Sequence, residues 1–238
     1  SPPGDAHLDD VANGFETLGI SHTAVDRDEL ESITGTRFYN SGVRVDGGSL
    51  VQPAAMMRGL GETLPVNVTL YENSPVTEVR SDNGFTRTTD QGTARAPKLI
   101  LATNLFAEEM GFKRHRVVPV ASFGSLTRPL TDDEKKHVGT AGEFGLLPSS
   151  PNGSTVRLTQ DGRILMRNTL WYARSKRFED ELIARMEARH RQSIAERWPA
   201  LGEVDFDGTW GGIMAFTRNE GTVWGEIADN LYILMTTD

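Results

Sequence analysis

Leu99-Ile100-Leu101-Ala102 is the run that most constrains this chain. It is apolar with no polar alternation, which predicts a strand covered on both faces, as in a parallel sheet. It stops at Thr103-Asn104, and ligands of parallel sheets bind beyond the carboxyl ends of the strands. The residues before it read helix, then strands. Pro53 suits the first turn of a helix, where its missing N–H would have been unpaired. Met56, Leu60 and Leu64, with Met57 beside them, give that helix an apolar face. Gly59 weakens a helix, which predicts a close helix–sheet contact there. Val68 and Leu70 alternate with Thr69 and Tyr71, predicting a half-buried strand. Glu72-Asn73-Ser74-Pro75 turns the chain into Val76–Arg80. Ser81-Asp82-Asn83-Gly84 and Asp90-Gln91-Gly92 are turns by composition, and Phe85–Thr89 between them has strand bias.

The remaining pattern is helical at the start and strand-rich later. Val11, Phe15 and Leu18 after Asp9-Asp10 predict a helix, preceded by a loop at Ser1-Pro2-Pro3-Gly4. Asp26 and Glu29 have the spacing of a capping box and open a short helix ending near Gly35. Arg116–Thr127 is β-rich, and Thr131-Asp132-Asp133-Glu134 opens a short helix. Thr155–Leu158 and Arg163–Trp171 flank Asp161-Gly162, a strong hairpin signal. Phe178, Leu182, Met186, His190, Ile194 and Trp198 recur every four residues, predicting a long helix stopped by Pro199. Glu181–Arg185 and Glu187–Arg191 are favourable pairs on its outer side.

Composition removes several function classes. A net charge of −8 argues against nucleic-acid binding. The short basic cluster Lys113-Arg114-His115-Arg116 reads as a solvated loop at a domain crossover. There is no cysteine, which excludes disulfides, thiolate nucleophiles, cysteine metal sites and cysteine-linked flavin. No apolar run approaches membrane-spanning length, and no signal-peptide pattern is visible at the start. The hydrophobic share of 37% is enough to fill a core.

Few side chains suggest catalysis on their own. The five histidines are scattered, and none has zinc-ligand spacing, so no metal site is expected. His190 lies on the apolar stripe of the long helix and reads as a satisfied, partly buried histidine rather than a catalytic base. Asp132, Asp133 and Glu134 read as a solvated first turn favoured by the helix dipole. Trp171 and Tyr172 fit pocket lining and sheet packing equally well. In Trp210-Gly211-Gly212, the paired glycines permit close backbone approach, though a tight strand exit fits too.

A set of short motifs in a fixed order makes the chain resemble the D-amino-acid-oxidase-type FAD oxidoreductases. That family includes glycine oxidase, sarcosine oxidase, the D-amino acid dehydrogenase small subunit and γ-glutamylputrescine oxidase. The matching pieces are Gly47-Gly48-Ser49-Leu50-Val51-Gln52-Pro53, Arg58-Gly59-Leu60, Ser74-Pro75-Val76-Thr77-Glu78-Val79 and Leu101-Ala102-Thr103-Asn104. Val118-Pro119-Val120 with Thr127-Arg128-Pro129-Leu130 resembles the entry into the family's substrate domain. Trp210-Gly211-Gly212 with Asp229-Asn230-Leu231-Tyr232 resembles the return to its cofactor domain. The likeness runs from about Thr34 to the end.

The family's GxGxxG phosphate loop does not occur here. Its glycine-rich loop beside the flavin would begin where this chain stops, at Thr236-Thr237-Asp238. The chain therefore reads as an internal fragment. The expected fold class is α+β: an antiparallel substrate-domain sheet with helices, plus central strands of an FAD-binding domain lacking its N-terminal GxGxxG lobe. The expected divisions are 1–111 for helices and the central part of the FAD domain, 112–209 for the substrate domain, and 210–238 for the return strands.

The resemblance further implies a cytoplasmic parent that oxidises the C–N bond of an amine or amino acid, with FAD as cofactor. It places Val76, Ala102, Thr103 and Asn104 at the cofactor and turns Trp210 and Met214 toward substrate. No catalytic side chain is assigned, because in this family the flavin does the chemistry. Glycine-oxidase-like members clamp the substrate carboxylate with an arginine four residues after the tryptophan. Met214 stands there in this chain, so a simple α-amino-acid clamp is not expected, and an amine or N-substituted substrate fits at least as well. The fragment alone is expected to bind no FAD tightly, to be inactive, and to self-associate through strand surface at Leu99–Ala102 and Leu231–Met235. The alternative from the residues is a non-catalytic α+β binding or interaction module.

Overall fold

The computed structural model describes residues 3–112, 116–150, 153–219 and 221–236. Most of the basic cluster, Lys113–His115, and the ends at Ser1, Pro2, Thr237 and Asp238 lie outside the described residues. The first elements are α1 (Pro3–Thr17), β1 (His22–Asp26), α2 (Arg27–Thr34), β2 (Ser41–Val45) and α3 (Pro53–Glu62). Four strands follow: β3 (Glu78–Ser81), β4 (Phe85–Thr89), β5 (Gly92–Ala96) and β6 (Leu99–Leu101), then a 3-10 turn at Asn104–Glu108. Next come β7 (Val118–Thr127), α4 (Asp132–Lys135), β8 (Phe144–Leu146), β9 (Thr155–Leu158) and β10 (Ile164–Tyr172). The chain closes with α5 (Asp180–Arg197), β11 (Phe206–Phe216), β12 (Val223–Ala228) and β13 (Leu231–Met235). This is the α+β class that the sequence implies. Helix α1 already includes Pro3 and Gly4, so the predicted opening loop is corrected at those two residues. Proline is well tolerated in a first helical turn.

Two compact units divide the chain. One comprises Ser1–Leu50, Ala121–Trp171 and Ser175–Gly212; the other comprises Val51–Val120, Tyr172–Arg174 and Ile213–Asp238.

The first unit is built on a five-stranded sheet, ordered β11-β7-β10-β9-β8. The Asp161-Gly162 turn, with Gly162 at φ +73°, joins β9 to β10, and Met166 stands opposite Val156. Helix α5 covers one sheet face: Ile194 and Trp198 share a core with Val156, Leu158, Ile164 and Met166. The predicted stripe is present at Met186, His190, Ile194 and Trp198, all buried. Of its outer pairs, Glu187–Arg191 closes at 2.9 Å, whereas Arg185 lies 5.2 Å from the ring centre of Trp171.

The first fifty residues join this unit through specific bonds. Asp26 caps α2 by accepting from the Glu29 N–H at 2.9 Å. The helix ends at Gly35, φ +74°, where an added Cβ would lie 2.2 Å from the His137 carbonyl oxygen. The Trp198 indole donates to the Thr34 carbonyl at 2.8 Å. Arg197 donates to the Tyr39 hydroxyl and lies 4.1 Å over the Phe38 ring. Strands β1 and β2 pair antiparallel around α2, a pair too short to stand out by alternation. At α4, Thr131 and Glu134 form a full capping box, and Arg128 grips the Glu134 carboxylate with two bonds of 2.8 and 2.7 Å.

The second unit contains two three-stranded sheets. In one, β12 pairs antiparallel with β13, and β13 pairs parallel with β6. The other is the β3-β4-β5 meander. Its turns are the two read from composition, with Asn83 at φ +51°. Phe85, Leu99, Leu101, Leu231 and Ile233 share one core.

Three expectations fail here. Leu99 and Leu101 are buried, but Ile100 is 69% exposed. Among the described residues β6 is a sheet edge with one covered face, because only β13 pairs with it. Val68–Tyr71 forms no strand: alternation supplies a face, but a strand also needs a neighbour for its backbone hydrogen bonds. Helix α3 forms as predicted, yet Met56, Met57 and Leu60 are exposed, and nothing lies within 4 Å of a Cβ built at Gly59.

Candidate functional site

Within the second unit, Ala102, Thr103 and Asn104 follow the carboxyl end of β6, beside the end of its parallel partner β13. Ala102 and Thr103 are exposed. Asn104 adopts φ +49°, a left-handed conformation that asparagine tolerates better than most residues. Its amide nitrogen donates to the Thr236 carbonyl at 3.2 Å, fixing the side chain across the strand ends. Its Oδ1 is buried and has no partner among the described residues. An unsatisfied buried polar atom is unfavourable by about 1–3 kcal/mol, so this oxygen suits an outside donor. A hydroxyl-rich cofactor fits that requirement at the place where parallel sheets receive ligands.

Val76 lies elsewhere in the same unit, in the extended segment before β3. It is 36% exposed, and among the described residues no backbone bond holds its N–H, whereas the next residue, Thr77, donates to the Thr88 carbonyl. The residues expected at the cofactor thus fall in two places, three of them contiguous and Val76 apart.

In the first unit, parity fixes which residues of the sheet face α5. Ser125 of β7 bonds His190 of α5, so the neighbouring Gly124 faces the other way. Trp210 lies on that open side: an added Cβ at Gly124 would stand 3.1 Å from the indole ring. Trp210 is 46% exposed, as a substrate-facing aromatic would be. Gly211 faces the helix side, where an added Cβ would meet the Phe178 and Phe123 rings at 2.6 and 2.9 Å. The glycines after Trp210 therefore serve tight packing at Gly211. Met214 lies further along β11 in the second unit and is half-buried. Trp171 and Tyr172 are exposed, at 43% and 62%.

Beneath the Trp210 strand runs a polar chain, buried at Ser125 and His190 and half-buried at Thr209 and Glu187, that the sequence did not reveal. The Thr209 hydroxyl donates to the Glu187 carboxylate at 3.3 Å. Ser125 bonds the Thr209 oxygen at 2.7 Å and His190 Nδ1 at 2.7 Å. Glu187 can only accept when ionised, so the chain has one direction: Ser125 donates to Thr209, and His190 Nδ1–H donates to Ser125. Nε2 is then a bare acceptor, buried and without a partner among the described residues. The expectation of a satisfied, partly buried His190 is corrected: it is fully buried and half satisfied. Burial pushes its pKa down to about 4, against the smaller opposing pull of Glu187. It is sealed from solvent, which excludes it as a base acting on substrate. Its i, i+4 stripe position predicted burial, but the partners come from strands far off in sequence.

The family description "DAO: FAD dependent oxidoreductase" matches residues 3–237. The chain belongs to the DAO family. Relatives in sequence and in solved structure are similar to it over most of its length. The probable oxidoreductase OrdL of Haemophilus influenzae is 24% identical over 214 residues, covering 87% of this chain and 47% of its own length. Glycine oxidase from Geobacillus kaustophilus superposes with a TM-score of 0.70 at 16% identity, over 94% of this chain and 60% of that one. Iminodiacetate oxidase from Chelativorans sp. BNC1 gives a TM-score of 0.65 at 20% identity, over 90% and 57%. The chain spans about half the length of the curated relatives it matches. No helix among the described residues is long and apolar enough to cross a membrane.

Proposed function

We propose that the protein containing this DAO-family chain uses FAD to oxidise the C–N bond of an amine or amino acid. The observation that carries the reading is the strand end at Ala102–Asn104, where the left-handed Asn104 presents a buried oxygen without a donor. The likeness to proteins titled glycine oxidase and iminodiacetate oxidase supports C–N bonds as the target. Bound FAD would accept the hydride equivalent from the amine-bearing carbon. The chain's own residues bind and orient. Asn104 Oδ1 accepts from a cofactor hydroxyl, Thr103 offers a second polar contact, and the Val76 backbone borders the adenine. Trp210 gives an apolar wall to the substrate, and Met214 replaces the arginine that would clamp an α-carboxylate. We favour an amine or N-substituted amine over a simple α-amino acid on that ground.

The same reading assigns the open sheet face of the first unit to substrate and the β6–β13 strand ends to cofactor. The chain by itself holds only part of the cofactor's surroundings, so it binds FAD weakly and is inactive. Its exposed apolar residues, Ile100 and Met57 among them, favour self-association.

The test separates backbone from side chain at Val76. Val76→Ala keeps the N–H and leaves flavin retention in the full-length protein nearly unchanged. Val76→Pro removes the N–H and lowers retention at least tenfold. Equal, negligible effects on bound flavin would contradict the cofactor placement.

A further inference from the structure

The first unit contains a cleft that the function proposed above does not use. Its volume is about 340 Å³, at the lower end of the range for small-molecule sites. Three segments form it: the end of α2, the loop after α4, and the end of α5 with the 3-10 turn Pro199–Leu201. All of them belong to the first unit. Backbone bonds hold the segments together. The Thr140 N–H and hydroxyl both donate to the Ser32 carbonyl at 3.1 Å, and the Trp198 indole donates to the Thr34 carbonyl. The Glu31 carbonyl accepts from the Gly35 N–H. The carbonyls that end α2 are thus already met by donors, which leaves little of the negative helix end facing the cleft. The end of α5 is closed likewise, with the Ser193 and Ile194 carbonyls accepting from Arg197 and Trp198.

Arg197 sets the chemistry of the cleft. It is 7% exposed, and among the described residues no carboxylate pairs with it. Its guanidinium carbon lies 4.1 Å from the Phe38 ring centre. Nε donates to the Tyr39 hydroxyl at 2.9 Å and Nη1 to the Ser193 carbonyl at 2.8 Å. These neutral partners fix the guanidinium without cancelling its charge, and a buried charge is unfavourable unless it is paired. Nη2 makes no bond among the described residues. It is not sealed, because the buried side-chain atoms without a partner there are Asn104 Oδ1 and His190 Nε2; Arg197 lines the cleft, which gives Nη2 its opening. Lys136 and His137 line the same cleft and are exposed. Lys136 reaches Asp133 at 2.6 Å, but pairs on the surface are weak, so the ammonium is free to turn inward. The Gly139 N–H, which no backbone bond holds among the described residues, adds a neutral donor. Glu31, the acid among the lining residues, is engaged by Arg37. The balance of the cleft is cationic.

We propose that this cleft binds a phosphate group, free or carried by a small phosphomonoester. Donors come from α5 and from the loop after α4, so they enclose a ligand from two segments. That suits a tetrahedral anion better than a planar carboxylate, which a single fork satisfies. A phosphomonoester carries a charge of about −1.5 to −2 at pH 7, which matches Arg197 together with Lys136. His137 offers a ring N–H in either protonation state. Bound phosphate cancels the buried charge of Arg197 and ties α5 to the loop after α4, so it stabilises the first unit. The site takes no part in flavin chemistry and does not depend on the function proposed above.

Calorimetry and thermal unfolding test the site. The chain is titrated at constant ionic strength with inorganic phosphate, glycerol 3-phosphate, acetate and chloride, and its Tm is recorded with each. The two phosphates bind saturably and raise Tm; acetate and chloride do neither. Tighter binding of glycerol 3-phosphate marks an esterified ligand, and tighter binding of inorganic phosphate marks the free ion. Arg197→Gln abolishes saturation. Lys136→Gln changes an exposed side chain, so it leaves the Tm without ligand unchanged, yet it weakens phosphate binding by about threefold. That variant keeps the test independent of the packing of Arg197. A response that never saturates, or that chloride reproduces, overturns the proposal. So does saturable binding that neither Lys136→Gln nor Arg197→Gln weakens, or acetate binding as tight as that of phosphate.

Discussion

Acidifying the chain from pH 7 to pH 5 removes stability through one side chain, His190. Its pKa in the folded chain is pushed down to about 4 by burial, against about 6.5 when unfolded. The groups facing it explain why. From its own helix comes Glu187, one bond removed beyond Thr209; from β7 and β11 come the neutral hydroxyls of Ser125 and Thr209. None can accept from a protonated Nε2, which is buried without a partner. The sign follows from linkage. As pH falls, the unfolded chain takes the proton first, so the contribution is whole above about 6.5 and is lost toward 4. The difference amounts to about 2 kcal/mol by pH 5 and about 3 kcal/mol by pH 4. Above pH 5 most carboxylates stay ionised, so that interval isolates the histidine. Urea unfolding followed by tryptophan fluorescence at pH 7, 6 and 5 measures it. His190→Asn keeps an amide near Ser125 and lacks the titration; it is less stable at pH 7 but flatter with pH. The reasoning fails if the wild-type chain is equally stable at pH 7 and 5, or if NMR shows the folded His190 ring titrating near 6.5.

Glu134 titrates in a separate, lower window. The Arg128 guanidinium, then the Thr131 N–H, hold its pKa down at about 2, so its contribution is complete above about 4.5 and disappears as pH falls toward 2. Glu134→Gln should flatten the loss in that window, as seen by circular dichroism, and an unchanged acid profile would exclude the pair as a source of stability. Gly35→Ala places a Cβ 2.2 Å from the His137 carbonyl oxygen at φ +74°; it should lower stability by about 2 kcal/mol or more, and a Tm within a degree of wild type would refute the close approach.

What the sequence disclosed was governed by short-range chemistry. Asp26 before Glu29, Thr131 before Glu134, and the Asp161-Gly162 turn each act within a few residues, and each appears in the structure where the sequence put it. The long α5 stripe was legible for the same reason, since its period is local. Features that depend on neighbours were not. The apolar run at β6 specifies two faces able to be covered, but the number of strands beside it is not written in the run. Val68–Tyr71 likewise carries strand alternation, but among the described residues no strand pairs with it. The candidate site was legible mainly through family likeness. Ala102–Asn104 could be named from it, whereas the unpartnered Oδ1 and the left-handed backbone of Asn104 emerge only in three dimensions.

The central claim is that this DAO-family chain belongs to a flavoprotein that oxidises amines. The most direct measurement is the visible spectrum of the purified full-length protein, recorded without oxygen before and after adding a panel of primary and N-substituted amines. The account predicts bound flavin whose absorption bleaches as the amine is consumed. A protein that carries no flavin, and takes up none when FAD is supplied, would contradict it.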